Sequence, residues 1–391
     1  MNRRRFLNSL AKYSFAAGAL RSLPLNAASL PSRREITQIT GGEHQHWFGY
    51  YDKWQIDPTG RYALGNQVDL LFRSPAATDP LRIGLIDLQD NHRWTEIGRS
   101  TSWGWQQGCM LQWIPGSTEE VIWNDHDAGD GFVSRIYNIR TGATRTLPRP
   151  IYTLSPDGSY GLSVDFDRLQ YFRPGYGYPT KRPVDGFPKA PTDQGIRRMD
   201  LRTGESRLII SYAQIAELGG YPIDLSDYFH WFNHLLVNPS GTRFIFLNRS
   251  RPVGSVTAMN AWYEDNKAIR FSGGNSGRYL TRALTVNVDG SDVFALNDSG
   301  AFSHFVWKGD DVVTAWSATN DGGKQAFYEF PDHTTGYRLI DHEAMPENGH
   351  NTYVPGTNDE WILNDTYPDR SDRKQTLYLY HTPTRRKVEL G

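Results

Sequence analysis

Residues 235–246 read LLVNPSGTRFIF, and this stretch predicts two short β-strands joined by a tight turn. Apolar and aromatic residues flank the turn on both sides, and such residues are favoured in strands. Asn238, Pro239 and Gly241 are residue types that supply the backbone angles of a turn. The stretch therefore predicts a β-hairpin, which is the unit to look for in the rest of the chain.

The same unit recurs along the chain, and six copies are recognised by their turn residues. The turns lie at residues 58–60, 115–116, 156–158, 239–241, 309 and 355–356. Several copies are followed by two further strand-like runs, such as 196–201 and 208–210. Because four strands per repeat are typical of a propeller blade, we predict an all-β protein built as a single β-propeller of four-stranded blades. Six repeats are counted, and a seventh is left open within residues 166–230.

The N-terminal residues differ from the repeats and predict a targeting segment. A twin arginine is followed by Phe6 and Leu7, an apolar stretch and small residues. This order is typical of a Tat-type export signal, so we assign residues 1–30 to the signal and residues 31–391 to the propeller. The apolar stretch is too short to span a bilayer. We therefore expect a periplasmic protein without stable membrane insertion.

The charge balance argues against a general nucleic-acid binder. The formal net charge is −1, and residues 1–28 contain five basic residues and no acidic one. The remaining chain is therefore acidic, whereas a nucleic-acid-binding domain is usually basic. The single cysteine, Cys109, lies in an apolar run and is predicted to be a small buried residue.

Histidines recur at one position of the repeat. Five residues before the turn proline or glycine, three successive copies carry His234, His304 and His350. The other copies carry Lys53, Met110 and Ile151. First strands of propeller blades begin around the central cavity, so converging neutral imidazoles suit a divalent metal or a proton-transfer site. Glu347 is a further candidate ligand, and a purely structural role for each histidine remains the alternative.

Other polar and aromatic residues fall near strand ends on the same expected face. We take the following as candidate substrate-binding residues: His46, Tyr51, Lys53, Trp105, Gln107, Arg149 and Arg249. Arginine suits a carboxylate and aromatic rings suit a sugar ring, so the set predicts a cup for an acidic sugar. Satisfying backbone groups at strand ends is the alternative interpretation. Two insertions, at residues 173–194 and 251–278, are predicted to be loops on a propeller face.

The histidine segments resemble a known family. Asn233-His234-Leu235, Ser303-His304-Phe305 and Gly349-His350-Asn351-Thr352-Tyr353 are similar to segments of the oligogalacturonate lyases and related TolB-like propellers. The resemblance implies a lyase that cleaves uronic acid-containing oligo- or polysaccharides by β-elimination. It implies His234 as the base that removes the C5 proton, and His304 and His350 as metal ligands. Arg198, or otherwise Arg197, would neutralise the carboxylate.

One departure from the family leaves the metal open. The last blade of the family supplies a glutamine and two histidines, whereas residues 347–352 hold one histidine. This segment is compatible with a divalent metal, Mn or Ca, that uses Glu347 as a substitute ligand. It is equally compatible with a metal-free lyase that relies on arginine. A glycoside hydrolase on the same scaffold and a non-catalytic TolB-like binding protein are the alternative functions. We expect a monomer whose partner is an acidic oligosaccharide.

Overall fold

The computed structural model of the protein describes residues 36–129, 131–180, 186–252, 279–369 and 371–391. The predicted export signal, residues 1–30, lies outside this described part, as does most of the predicted insertion at 251–278. Within it, no helix has both the length and the apolar character needed to cross a membrane.

The described chain forms six antiparallel sheets of four strands, each sheet built from strands that follow one another in the sequence. The first sheet contains β1 (Gln45–Trp47), β2 (Tyr62–Val68), β3 (Leu81–Asp87) and β4 (Arg93–Ser100). The second contains β5 (Gln112–Trp113), β6 (Glu120–Asp127), β7 (Gly131–Asn138) and β8 (Thr144–Leu147). The third contains β9 (Thr153–Leu154), β10 (Tyr160–Ser163), β11 (Gly195–Asp200) and β12 (Ser206–Ser211).

The remaining sheets follow the same plan. The fourth contains β13 (Phe229–Val237), β14 (Arg243–Arg251), β15 (Leu280–Asn287) and β16 (Phe294–Asn297). The fifth contains β17 (Phe302–Lys308), β18 (Val312–Ser317), β19 (Ala326–Pro331) and β20 (Arg338–Leu339). The sixth contains β21 (Asn351–Tyr353), β22 (Trp361–Asp365), β23 (Leu377–His381) and β24 (Arg386–Glu389). Two short helices, α1 (Phe166–Phe172) and α2 (Tyr212–Ala216), lie in the connections around the third sheet.

The six sheets are the blades of a six-bladed β-propeller, which confirms the predicted fold class. The stretch 166–230, where a seventh blade was left open, instead completes the third blade and carries both helices. The chain divides into two compact units. The larger, Gln38–Asn348, contains the first five blades, and the other contains Gly349–Gly391, with the sixth blade.

The predicted turn chemistry explains why the hairpins form. All six turns contain a glycine with positive φ: Gly60, Gly116, Gly158, Gly241, Gly309 and Gly356. The residue before the turn proline often caps the turn, and Asn238 Oδ1 accepts the backbone N–H groups of Thr242 at 2.9 Å and Arg243 at 3.0 Å. Such local bonds satisfy backbone groups that the tight turn would otherwise leave unpaired.

The first blade differs from the prediction in its first strand. The sequence repeat predicts that strand at residues 54–56, but the structure contains only an isolated bridge there, Ile56 to Ala63. The first strand is instead β1, which pairs with the far end of β2. Residues 48–55 leave the sheet between these two points, and this excursion contains Tyr51 and Lys53, which the sequence analysis places in the site, and Tyr50 beside them.

Neighbouring blades of the larger unit are joined by apolar clusters and by buried hydrogen bonds. Asn124, on β6, is fully buried. Its amide donates to Ile151 O at 2.7 Å and to Tyr178 Oη at 2.8 Å, and its Oδ1 accepts from Ile151 N at 2.7 Å. Ile151 precedes the third blade, so one side chain of the second blade satisfies both backbone groups of that residue.

Replacing Asn124 should therefore weaken the junction between the second and third blades. We expect Asn124→Ala to lower the free energy of unfolding by about 3 kcal/mol, because the Ile151 N–H and C=O lose their partner in a buried place. Urea denaturation followed by far-UV circular dichroism measures this. Gln89→Ala, which removes an exposed amide, is the matched control. Equal midpoints for the two variants would contradict the assignment.

Candidate functional site

The first strands of three blades share an unusual backbone feature. Met110, His234 and His304 all have positive φ, at 58°, 53° and 41°. In the fourth and fifth blades the pairing register shifts at these residues, between Asn233 and Leu236 and between Ser303 and Phe305. A left-handed conformation in a residue other than glycine costs about 1–3 kcal/mol and is concentrated at functional sites. In the fourth and fifth blades the position aligned in the sequence is therefore a β-bulge.

The bulge places His234 among aromatic side chains. Its ring stacks on Phe305 with centroids 4.0 Å apart, and the rings of Tyr50 and Tyr51 meet it edge-on at 5.1 Å and 5.6 Å. The backbone N–H of His234 donates to Tyr152 Oη at 2.8 Å. His234 is buried, so its orientation is set by packing on several sides.

Tyr51 determines the tautomer of His234. The Tyr51 hydroxyl donates to Phe305 O at 2.9 Å, and the same oxygen lies 3.2 Å from His234 Nε2. A phenol has one proton to donate. The His234 Nε2–H must therefore donate to Tyr51, which leaves Nδ1 as the unprotonated nitrogen of the neutral ring. Burial, together with Tyr50 and Asp52, raises the pKa of Tyr51 well above its usual value, so the phenol keeps its proton.

Lys53 is paired within the protein. Its Nζ donates to Asp52 Oδ2 at 2.8 Å, and both side chains are buried. The ammonium also lies 5.3 Å from the ring centroid of Tyr152, whose hydroxyl accepts a 2.7 Å hydrogen bond from Gln107. The sequence predicts Lys53 and Gln107 as substrate-binding residues. The structure brings both to the Tyr152 side of His234, with the charge of Lys53 compensated by Asp52.

The same ion pair borders a separate cavity of about 960 Å³ at the turn ends of the first strands. Residues of the first five blades line this cavity, among them Trp54, Trp113, Leu154, Val237 and Trp307. Apolar side chains predominate, and Lys53, the one basic residue among those lining the cavity, is neutralised by Asp52, so the cavity offers little for an acidic ligand to bind.

Arg249 and Arg173 form a cationic pair. Arg249, on β14, is 5% exposed, its Nη1 donates to Tyr279 Oη, and its guanidinium lies 4.7 Å from the Tyr279 ring. Arg173 donates to Tyr176 Oη at 2.8 Å and lies 5.1 Å from the same Tyr279 ring. The Nε atoms of both arginines are buried and have no hydrogen-bond partner, and within the described residues neither guanidinium pairs with a carboxylate.

The electrostatics of this pair identify its neighbours. Burial is the largest cause that lowers the pKa of Arg249, to about 9, and the charge of Arg173 acts in the same direction. Tyr176, Tyr50 and Tyr152 act in the opposite direction, so they lie within electrostatic range of the guanidinium. Tyr50 and Tyr152 are also the residues that contact His234. Tyr50 and Tyr152 therefore lie next to His234 and within electrostatic range of the Arg249 guanidinium.

Another buried arginine provides a contrast. Arg168, on α1, donates from Nε to His230 O at 2.6 Å, from Nη1 to Pro188 O at 2.9 Å and from Nη2 to Lys189 O at 2.6 Å. Its donors are therefore used to hold backbone carbonyls. Among the described residues, Arg249 bonds to Tyr279 Oη and to no backbone carbonyl, so the two arginines are used differently.

The candidate metal ligands His304 and His350 each lie beside a polar side chain of their own unit. His304 Nδ1 lies 2.8 Å from Asn348 Oδ1, and Glu347 is exposed. His350, in the C-terminal unit, has its Nδ1 3.1 Å from Asp365 Oδ2. Across the part of the chain that the structure describes, no three His, Cys, Asp or Glu side chains are grouped to hold a metal ion. The donor set expected from the family resemblance therefore does not fit here.

The remaining predicted residues lie elsewhere. His46 is 2.7 Å from Gln67 Nε2 and packs edge-on to Trp94. Arg198 stacks 4.3 Å above the ring of Tyr160, whose hydroxyl bonds to the turn carbonyl of Gly241. Arg149 is exposed.

The sequence analysis missed Arg173, Tyr176 and Tyr279 as partners of Arg249. Arg173 and Tyr176 lie in the 173–194 insertion, and Tyr279 directly precedes β15, so none of them occupies a repeated position. The only sequence signal was the richness of the 173–194 insertion in Arg, Tyr and Gly.

Comparisons with known proteins support the fold. No family model matches the sequence, and no curated protein matches it. An oligogalacturonate lyase from Vibrio parahaemolyticus is 12% identical with a TM-score of 0.53, and an oligogalacturonate lyase in complex with manganese is 14% identical with a TM-score of 0.56. Each alignment covers 90% of this chain and 80% of the other.

TolB from Acinetobacter baumannii is also similar, at 14% identity over 81% of this chain and 60% of that chain, with a TM-score of 0.41. The resemblance to the oligogalacturonate lyases noted in the sequence is confirmed as a distant similarity of fold. At these identities the comparisons show the propeller scaffold and leave the activity to be argued from the site.

If Arg249 is retained for a ligand, removing its charge should stabilise the protein. We expect Arg249→Met to raise the free energy of unfolding by about 1 kcal/mol, because a buried, uncompensated cation is replaced by an apolar side chain of similar length. Arg168→Met is the matched control and should lower it by about 3 kcal/mol, because three carbonyls lose their donors. Urea denaturation measures both. A loss of stability in Arg249→Met as large as that in Arg168→Met would mean that Arg249 is structural.

Proposed function

We propose that this protein is an exported, periplasmic lyase that cleaves uronic acid-containing oligo- or polysaccharides by β-elimination. The observation that carries the proposal is the buried Arg249, which is paired with Arg173 and lacks a carboxylate partner among the described residues. It shares Tyr50 and Tyr152 with His234. A substrate carboxylate would supply the missing negative charge and would place its neighbouring carbon near the imidazole.

The reaction requires this combination of groups. The proton on C5 of a uronate lies next to the carboxylate, and its removal creates an enolate that must be stabilised electrostatically. In our proposal the guanidiniums of Arg249 and Arg173 bind the carboxylate and stabilise the added charge. His234 Nδ1 takes the C5 proton, the C5–H electrons form the C4–C5 double bond, and the C4–O bond breaks. The protonated His234 then gives its proton to the departing oxygen, which balances the step.

Tyr51 acts as a positioning residue in this scheme. By accepting from Nε2–H it keeps the proton away from Nδ1, the nitrogen that we assign as the base. We assign the neutralising role to Arg249 instead of Arg198, because Arg249 shares neighbours with His234, whereas Arg198 stacks on Tyr160.

We also propose that arginine, and not a divalent metal such as Mn or Ca, neutralises the carboxylate here. One of the lyases similar in fold is described in complex with manganese. His304, His350 and Glu347, the residues that the resemblance and sequence suggest for such an ion, do not assemble a ligand group in the described chain. The paired arginines support this proposal, because they carry two positive charges that could bind the carboxylate.

Loss of the base should remove elimination and leave binding. We expect His234→Ala to reduce turnover about a thousandfold, the usual contribution of a general base. The assay follows the near-ultraviolet absorbance of the unsaturated product from polygalacturonate and other uronic acid-containing polysaccharides. His381→Ala, a histidine on the third strand of the sixth blade, should retain activity. Reducing ends without this absorbance would point to a hydrolase, and full activity in His234→Ala would refute the assignment of the base.

Metal removal provides an independent check. We expect purified protein to contain no stoichiometric divalent metal, and dialysis against EDTA to leave lyase activity unchanged, because the arginines supply the charge. Plasma mass spectrometry measures the metal content. The opposite result would be one equivalent of metal that is lost in His304→Ala, together with activity that returns when Mn or Ca is added. That result would mean that a metal neutralises the substrate carboxylate.

A further inference from the structure

An exposed aromatic residue on the first blade has no structural explanation in its own surroundings. Phe72 lies in the connection between β2 and β3, is 100% exposed and has a φ of 57°. A phenyl ring gains stability when it is buried, and a positive φ is unfavourable for a bulky residue. The molecule therefore accepts two unfavourable features at one residue, and such positions are concentrated where a ligand is bound.

The segment that presents Phe72 is firmly held. The guanidinium of Arg73 bonds to both carboxylate oxygens of Asp79, at 2.5 Å and 2.9 Å. Trp105 Nε1 donates to Arg73 O at 2.7 Å, and Trp103 Nε1 donates to Asp79 O at 2.8 Å. The exposed ring is therefore carried on a fixed support, so its exposure is a property of the fold.

Phe72 and Trp105 line a shallow cavity of about 470 Å³ together with Leu71, Arg73 and Ser74. The Trp105 indole packs against Trp47 and Trp103, with ring centroids 5.0 Å and 5.3 Å away, which fixes its plane. Because Asp79 neutralises Arg73, the cavity carries no net charge. Rigid aromatic rings with few charges suit a sugar ring, which has apolar C–H faces and a polar edge.

A short turn connects this cavity to the site around His234. Gly104 and Gly108 exchange backbone hydrogen bonds of 3.1 Å and 2.9 Å, which close a tight turn over residues 105–107. Trp105 lies at one end of the turn, and Gln107 at the other end donates to Tyr152 Oη. Trp105 and Gln107 are two residues apart along the chain, so their Cα atoms lie at most about 7 Å apart.

We propose that Phe72 and Trp105 form an outer subsite that stacks one pyranose ring of an oligosaccharide whose acidic residue lies at Arg249. The position of the acidic residue rests on the proposed function, whereas stacking on the outer rings requires no carboxylate. The subsite favours chains long enough to reach from the arginines to Phe72, so it selects oligosaccharides over the shortest uronates.

The test measures binding without turnover, in the His234→Ala background. Titration calorimetry is carried out with acidic di-, tetra- and hexagalacturonates and with the neutral oligosaccharides cellohexaose and maltohexaose. Phe72→Gly is the main variant, because glycine accepts the positive φ without strain, so the fold is expected to be retained. Leu339→Ala is the matched control, since it removes another exposed apolar side chain, on β20.

We expect Phe72→Gly to weaken hexasaccharide binding by about tenfold, as for the loss of one aromatic contact, and to leave the digalacturonate unaffected. Thermal unfolding of Phe72→Gly should be unchanged or improved. The subsite would be overturned if Phe72→Gly and Leu339→Ala bound every oligosaccharide with equal affinity. It would also be overturned if none of the oligosaccharides bound. Phe72-dependent binding of neutral chains without binding of acidic ones would retain the subsite and refute the uronate proposal.

Discussion

The left-handed residue in the first strand is the constraint on which the site depends. Side chains alternate between the two faces of a regular strand, and an extra residue resets that alternation. At His234 and His304 the reset occurs in a buried strand, where the backbone conformation is unfavourable and the surrounding packing must maintain it. Phe305 follows the second bulge directly and supplies both the ring that stacks on His234 and the carbonyl that orients Tyr51. Two neighbouring bulges thus build one histidine environment.

Charge is distributed around this histidine in two different ways. Lys53 is neutralised by Asp52, so this buried pair contributes no net charge to the site. Arg249 and Arg173 remain uncompensated within the described chain, and only tyrosine hydroxyls and rings surround them. Isolated buried cations are unfavourable unless something pairs with them. The contrast between the two pairs therefore supports the proposal that Arg249 and Arg173 bind an anionic ligand.

The sequence was informative where the structure repeats and uninformative where it does not. Turn residues such as Pro239 and Gly241 act through local backbone angles, so the fold class and the equivalence of His234 and His304 followed from spacing. Arg173 and Tyr279 meet Arg249 only after an insertion and another strand have folded onto it, and no local pattern encodes that encounter. The pairing of Lys53 with Asp52 and the displaced first strand β1 depend on how residues 48–55 leave the sheet, which periodicity does not describe.

The consecutive arrangement of strands in every blade has a consequence for how the chain is made. Each hydrogen-bonded ladder joins segments that emerge from the ribosome one after another, so a blade can close before the next one has been synthesised. Proteins dominated by such sequence-local pairing have low contact order and fold faster than those that must wait for distant partners. A twin-arginine signal, as predicted for residues 1–30, directs export of chains that are already folded. If the blades fold in the order in which they are synthesised, the protein would reach the export machinery already folded.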